Sequence, residues 1–156
     1  MKKGDIFFLF FIMLYLLVIG LLREHLFVSI NYQSSKLFYN ESFDWQLPSD
    51  LKFLEFFSYQ ELYYGKWLLT VSFCLLYFIP VFFIVKKYFS ERMYLLVAVY
   101  SHLFVLALGG FFYLLGIITS DMERWYSFSR NLLGVLQSPI MLFILSPSFF
   151  LIRNSR

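Results

Sequence analysis

The sequence is short of the residues from which most enzyme sites and metal sites are built. It has one cysteine, Cys74, and two histidines among 156 residues. A single cysteine excludes an intramolecular disulfide and any cysteine-based metal site. The sequence also lacks a glycine-rich phosphate loop and a pair of carboxylates within an apolar segment, which disfavours an ATPase or a transporter built from inverted repeats. We therefore expect neither a metal nor a cofactor.

Charged residues are scarce as well. They make up 15% of the chain, against about a quarter in a typical soluble domain. In contrast, 60% of the residues are hydrophobic, and the 22 Phe and 12 Tyr exceed what a small soluble core can bury. The net charge of +3 comes from cations at the ends of apolar segments, with no basic stripe that would indicate nucleic-acid binding. The composition predicts a single all-α integral membrane domain.

Four segments are long and apolar enough to be transmembrane helices. The connection between the first two is the only long polar one. Its first part, Ser29–Pro48, is rich in Asn, Gln and Ser and should be irregular. Its second part has the pattern of an amphipathic helix, with Ser49 or Asp50 at its N-cap. This helix is expected on the outer side, either in the membrane interface or covering the ends of the spans. The predicted spans are 6–22, 67–85, 94–119 and 131–152, and the outer loop is 23–66.

The last span has an unusual sequence for a helix. Arg130 stands at its entrance, the amide Gln137 lies inside it, and Pro139 and Pro147 interrupt it. Interior proline removes a backbone hydrogen bond, but membrane helices tolerate it where other groups satisfy the freed carbonyl. We therefore predict a kinked helix packed against others. The serines expected to satisfy freed carbonyls are Ser138, Ser146 and Ser148.

Two further features concern how the spans pack. Pro80 should kink the second span. In the third span, His102, Gly109 and Gly116 recur every seven residues and so lie nearly on one stripe. Small residues on such a stripe allow another helix to approach closely. We therefore expect this stripe, including His102, to face protein.

The distribution of Lys and Arg predicts the orientation in the membrane. Lys2-Lys3, Lys86–Arg92 and Arg153–Arg156 concentrate positive charge in short segments on one side. Positive charge is enriched in cytoplasmic segments. We therefore expect a multi-pass membrane protein with both termini in the cytoplasm.

Charged residues at the opposite ends of the spans are the candidate binding residues. Arg23, Glu24 and His25, called the charged triplet below, end the first span abruptly, and Arg124 and Arg130 precede the last one. Charges at a membrane face can bind a protein partner or an anionic head group. The alternative is that they are ordinary anchors at the membrane interface. Arg23-Glu24 and Arg130 are the best candidates, since both end a span abruptly and could pair with each other. Gln137 is added as an interior polar candidate.

Cys74 and His102 raise the alternative of an enzyme. A histidine-activated thiolate is a nucleophile for acyl transfer. The two residues are expected at different depths, roughly a helical turn or more apart, and a buried cysteine usually behaves as a small apolar residue. We therefore assign no catalytic residue.

The ends of the chain resemble a known family. The end of the first span, Leu22–Phe27, and the last span, Gln137–Phe150 with its two prolines, are similar to the corresponding parts of exosortase F system-associated membrane proteins of Bacteroidota. Arg130 lies further from Pro139 than the arginine of the family pattern does, and the 23–66 loop is longer. The resemblance implies a location in a bacterial inner membrane and an accessory role beside an exosortase, which processes C-terminal sorting signals of exported proteins.

The sequence thus predicts a non-catalytic accessory subunit of an envelope-protein sorting system, with membrane lipid and an exosortase or export component as partners. Two alternatives remain open. One is a small intramembrane enzyme or lipid-handling protein that uses the outer Arg, Glu and His residues. The other is a small channel or transporter subunit.

Overall fold

The computed structural model describes residues 3–39, 46–89 and 91–154, and nearly all of them are helical. Within these residues, five α-helices and one short 3₁₀ helix follow one another. The helices are α1 (Lys3–Tyr39), the 3₁₀ helix (Ser49–Phe56), α2 (Tyr59–Tyr88), α3 (Arg92–Thr119), α4 (Met122–Leu136) and α5 (Ile140–Asn154).

The predicted all-helical fold is confirmed, and three helices have the length and hydropathy needed to cross a membrane. These are α1, α2 and α3. The helices α4 and α5 pass the same test only as a pair, and they meet at a bend of 60°. The described part of the chain therefore contains three candidate spans, or four if the bent pair counts as one.

The first helix is much longer than the predicted first span. It continues without a break to Tyr39, so the expectation of irregular structure from Ser29 onward is wrong as far as Tyr39. Asn and Ser are weak helix formers but Gln is a good one, and tertiary packing overrides such weak preferences. Ile30 is buried in this part of α1, in a cluster with residues of the 3₁₀ helix and α2. Residues 40–45 of the predicted loop lie outside the described residues.

The chain divides into two compact units, Met1–Phe73 and Cys74–Arg156, with the division inside α2. In the first unit, the 3₁₀ helix packs against α1 through a small apolar core. We call this core the cap cluster; it consists of Ile30, Leu47, Leu51, Leu54 and Leu62, with Leu26, Tyr32 and Leu69 packed against it.

The 3₁₀ geometry gives this short helix three different faces. With three residues per turn, residues at i and i+3 lie in line. Leu51 and Leu54 are buried in the cap cluster, whereas Phe53 and Phe56 are exposed. Lys52 and Glu55 lie on the third face. The sequence had placed Ser49 or Asp50 as the N-cap, but the cap position is Pro48 and no side-chain hydrogen bond caps this described helix.

The start of α2 carries a capping box that the sequence analysis missed. The backbone N–H of Ser58 donates to Glu61 Oε2 at 2.8 Å, and Glu61 N–H lies 3.4 Å from Ser58 Oγ. The spacing Ser-x-x-Glu is the usual signature of this motif. It ends the 3₁₀ segment and begins a new helix within three residues.

In the second unit, α4 packs closely along α3. A sharp turn reverses the chain at Ser120, whose φ of 55° is left-handed, and the Asp121 side chain accepts a hydrogen bond from Arg124 N–H at the start of α4. The segment between the predicted third and fourth spans is helix from Met122 onward. A carboxylate N-cap and an apolar face at helical spacing explain this helix.

Glycines of α3 make the close approach possible. A Cβ atom added at Gly109 would lie 3.0 Å from the Leu133 side chain, and one at Gly116 would lie 2.9 Å from Met122 Sδ. Between them, Phe112 stacks on Trp125 with ring centroids 5.7 Å apart. These contacts place two of the three predicted stripe residues against α4.

The break between α4 and α5 occurs at Ser138 and Pro139. Proline at 139 cannot bond the carbonyl of Val135, and the Ser138 hydroxyl donates to that carbonyl at 2.9 Å, as predicted. Ser148 does not satisfy the carbonyl that Pro147 frees, which is that of Phe143, because its Oγ donates to Ile144 O at 2.7 Å. Ser146 does not act as predicted, because its buried hydroxyl has no hydrogen-bond partner.

The far end of α5 packs against the beginning of α3. Phe149 contacts Tyr94 and Phe89, with ring centroids 5.1 and 5.5 Å away. Arg153 Nη1 donates to Tyr88 O at 3.0 Å. Met122 lies beside Gly116 near one end of α3, and Phe149 lies beside Tyr94 near the other. Together, α4 and α5 therefore run back along most of the length of α3.

Candidate functional site

The charged triplet lies in the middle of α1 and not at its end. The Arg23 guanidinium carbon is 5.3 Å from the ring centroid of Phe27, one turn further along the helix. Glu24 and His25 are exposed. An arginine over an aromatic face is attracted by the negative π surface of the ring. The position of the Arg23 side chain is therefore set by a neighbour on its own helix.

His25 forms a hydrogen bond with a residue of the 3₁₀ helix. Its Nε2 atom is 2.8 Å from Asp50 Oδ2. The hydrogen bond from His25 lowers the pKa of the Asp50 carboxyl below its ordinary value of 3.8. The pair joins the beginning of the 3₁₀ helix to α1. Sequence reasoning had considered Asp50 only as a helix cap, because a contact 25 residues away has no local signal.

A second polar contact joins α1 to α2. Lys66 Nζ donates to Asn31 Oδ1 at 2.6 Å. The sequence did not predict this contact, because the two residues lie 35 positions apart. With the His25–Asp50 pair, this contact fixes all three helical elements of the first unit around the cap cluster.

The candidates of the second unit lie along α4. The Arg124 guanidinium carbon is 5.4 Å from the Trp125 ring centroid, and Arg130 is exposed. Gln137 is 4% exposed and follows the last residue of α4. The charged triplet belongs to the first unit and these three residues to the second. The pairing of Arg130 with the triplet stays a prediction.

The surroundings of His102 are those of a packed residue. Its ring meets Phe78 edge-on with centroids 4.7 Å apart. Its Nδ1 atom lies 2.8 Å from Ala98 O, and because a carbonyl only accepts, Nδ1 carries the hydrogen. Nε2 is then left as an acceptor, and it is buried without a hydrogen-bond partner. Cys74 is buried too.

Within 3–39, 46–89 and 91–154, no three His, Cys, Asp or Glu residues are arranged to hold a metal ion. The polar contacts described above instead join one helical element to another, or fix a side chain against its own helix. The arrangement can hold the 3₁₀ helix against α1, as a cap on the first unit. The other faces of this cap are left for a partner or for lipid.

Comparison with known proteins identifies no relative. No protein-family model, no curated protein and no solved structure matches this chain.

Proposed function

We propose that this protein crosses a bacterial inner membrane four times, with both termini in the cytoplasm, and serves as a non-catalytic accessory subunit of an exosortase-linked sorting system. Three parts of this proposal have separate support. The number of spans is supported by the path of α4 and α5. The accessory role is supported by the cap. The exosortase link is supported by the family resemblance alone.

The path of α5 favours a broken fourth span over a re-entrant loop. A re-entrant loop would return α5 to the end of α3 from which α4 starts, near Thr119. Phe149 instead contacts Tyr94, at the other end of α3. The helix α3 has 28 residues and is about 42 Å long, enough to cross a bilayer of about 30 Å. A chain that follows α3 over most of this length also crosses.

The observation that carries the accessory role is the rigid cap of the first unit. The helix α1 has 37 residues and is about 55 Å long, so it exceeds the hydrocarbon thickness by about 25 Å. The cap cluster and the His25–Asp50 pair hold the 3₁₀ helix against it. On the outward side, Phe56 is 90% exposed and Phe53 50% exposed. Exposed aromatic residues on a rigid element are typical anchors of protein interfaces.

A first test concerns the topology. In a Cys74→Ala background, single cysteines replace the exposed residues Gln60, Glu91 and Asn154. With a membrane-impermeant maleimide on intact spheroplasts, we expect labelling at Gln60→Cys and protection at Glu91→Cys and Asn154→Cys until the membrane is permeabilised. Labelling at Asn154→Cys with protection at Glu91→Cys would mean that the α4–α5 pair does not cross.

A second test concerns the partner. The tagged protein is cross-linked in its native membranes and purified, and the co-purified proteins are identified by mass spectrometry. We expect an exosortase in the eluate of the wild type and a several-fold lower yield with Phe56→Ala, since an aromatic anchor typically contributes 2 kcal/mol or more. Lys52→Ala, on another face of the same helix, is the matched control. Equal yields for all three proteins, or no exosortase in any, would refute the proposed role.

A further inference from the structure

The charged triplet lies deeper than the sequence alone places it. Three contacts align α1 with the first half of α2. Phe38 contacts Tyr59 at 5.5 Å between ring centroids, Asn31 binds Lys66, and Phe27 contacts Phe73 at 5.9 Å. The contacts step along the two helices in opposite directions, so the helices are antiparallel and their relative height is fixed.

This alignment sets the charged triplet against the apolar part of α2. The uncharged stretch of α2 begins at Trp67, a residue type typical of the membrane interface. Phe73 is six residues further in, about 9 Å at 1.5 Å per residue. Phe27 lies at the height of Phe73, and the charged triplet precedes Phe27 along α1. The charged triplet therefore lies about 9 Å or more inward of Trp67, where the apolar stretch of α2 begins.

The first apolar stretch is also short compared with the thickness of a bilayer, which is an independent observation. Residues 6–22 carry no charge and number 17, which gives about 25 Å of helix. The hydrocarbon core of a typical bilayer is about 30 Å thick. A stretch that is too short is accommodated by thinning of the bilayer, among other responses.

We propose that the outer leaflet is thinned beside α1, so that lipid head groups and water descend to Arg23, Glu24 and His25. Thinning gives Glu24 and His25 polar surroundings, since both are exposed and a charge facing hydrocarbon is costly. The 3₁₀ helix adds exposed charges at Asp50, Lys52 and Glu55 on the same unit. The partner of this surface is the head-group layer of the bilayer itself.

This inference rests on the proposed membrane insertion but not on the exosortase link. A thinned leaflet shortens the apolar path that a polar segment must cross next to the protein. It gives the charged triplet a role in shaping the surrounding lipid, which neither an anchoring role nor an ion pair with Arg130 includes.

The experiment uses the full-length protein with Cys74→Ala in phosphatidylcholine vesicles, and its first arm tests the alignment. The double variant Phe27→Cys/Phe73→Cys should form a disulfide on mild oxidation. The control pair Phe27→Cys/Leu62→Cys, which matches the heights expected if Leu22 and Trp67 were level, should not. Cross-linking of the control pair in place of the first would overturn the inference.

The second arm uses nitroxide labels at two positions and measures how accessible each label is to oxygen and to a water-soluble nickel chelate. Val71 is exposed and lies four residues inside Trp67, so its label should be more accessible to oxygen than to a water-soluble nickel chelate. A label at Glu24→Cys should show the opposite preference although it lies deeper. Nickel accessibility at both sites, or oxygen preference at both, would refute the thinning. Failure of the protein to float with vesicles would instead refute the membrane insertion.

Discussion

The change Gly109→Ile is expected to destabilise the protein by about 1–3 kcal/mol, the usual cost of adding bulk to a packed contact. A Cβ atom at this position would already lie 3.0 Å from Cγ and Cδ2 of Leu133, and isoleucine adds three more carbon atoms. Thermal unfolding of the purified protein in detergent measures the effect. For a chain of this length, the midpoint should fall by about 2–12 °C.

The neighbouring residue Gly110 provides the matched control. A Cβ atom there would meet nothing within 4 Å, so Gly110→Ile shares the gain in helix propensity without the collision. Leu133→Ala in the Gly109→Ile background should recover part of the loss, because it removes the atoms that collide. Equal unfolding midpoints for Gly109→Ile and Gly110→Ile would show that α3 and α4 do not pack through this glycine.

The second large effect is expected from Leu54→Ala in the 3₁₀ helix. Leu54 is 5% exposed and belongs to the cap cluster, and truncation of a buried leucine typically costs 2–5 kcal/mol. Because the 3₁₀ helix is short, the loss should appear first as local opening. Faster amide hydrogen exchange at residues 49–57, together with a lower unfolding midpoint, is the expected result.

Phe56→Ala is the control for this prediction, since Phe56 is on a different face of the same helix and 90% exposed. It should change stability by no more than about 0.5 kcal/mol. The two variants also separate folding from binding, because Phe56→Ala is expected to weaken partner capture with the cap intact. Unchanged exchange in Leu54→Ala would mean that the cap cluster does not hold the 3₁₀ helix in place.

The sequence alone determined the helical class and the approximate positions of the apolar segments. One long uncharged run ends at Arg23, and another lies between Lys66 and Lys86. Apolar segments of such length have few alternatives to a helix. The sequence also located the break at Pro139 and the serine that satisfies the freed carbonyl, since both depend on residues at most four positions apart.

Tertiary contacts decided the features that depend on distant residues. The continuation of α1 to Tyr39 accompanies burial of Ile30 in the cap cluster, and Asp50 binds His25 instead of capping its own helix. The relative height of α1 and α2 follows from contacts such as Phe27 with Phe73, which no periodicity within one segment encodes. Local pattern fixes how long each apolar helix is, whereas only packing fixes how far one helix slides against the next. The height of the charged triplet relative to α2 is for that reason a property of the fold.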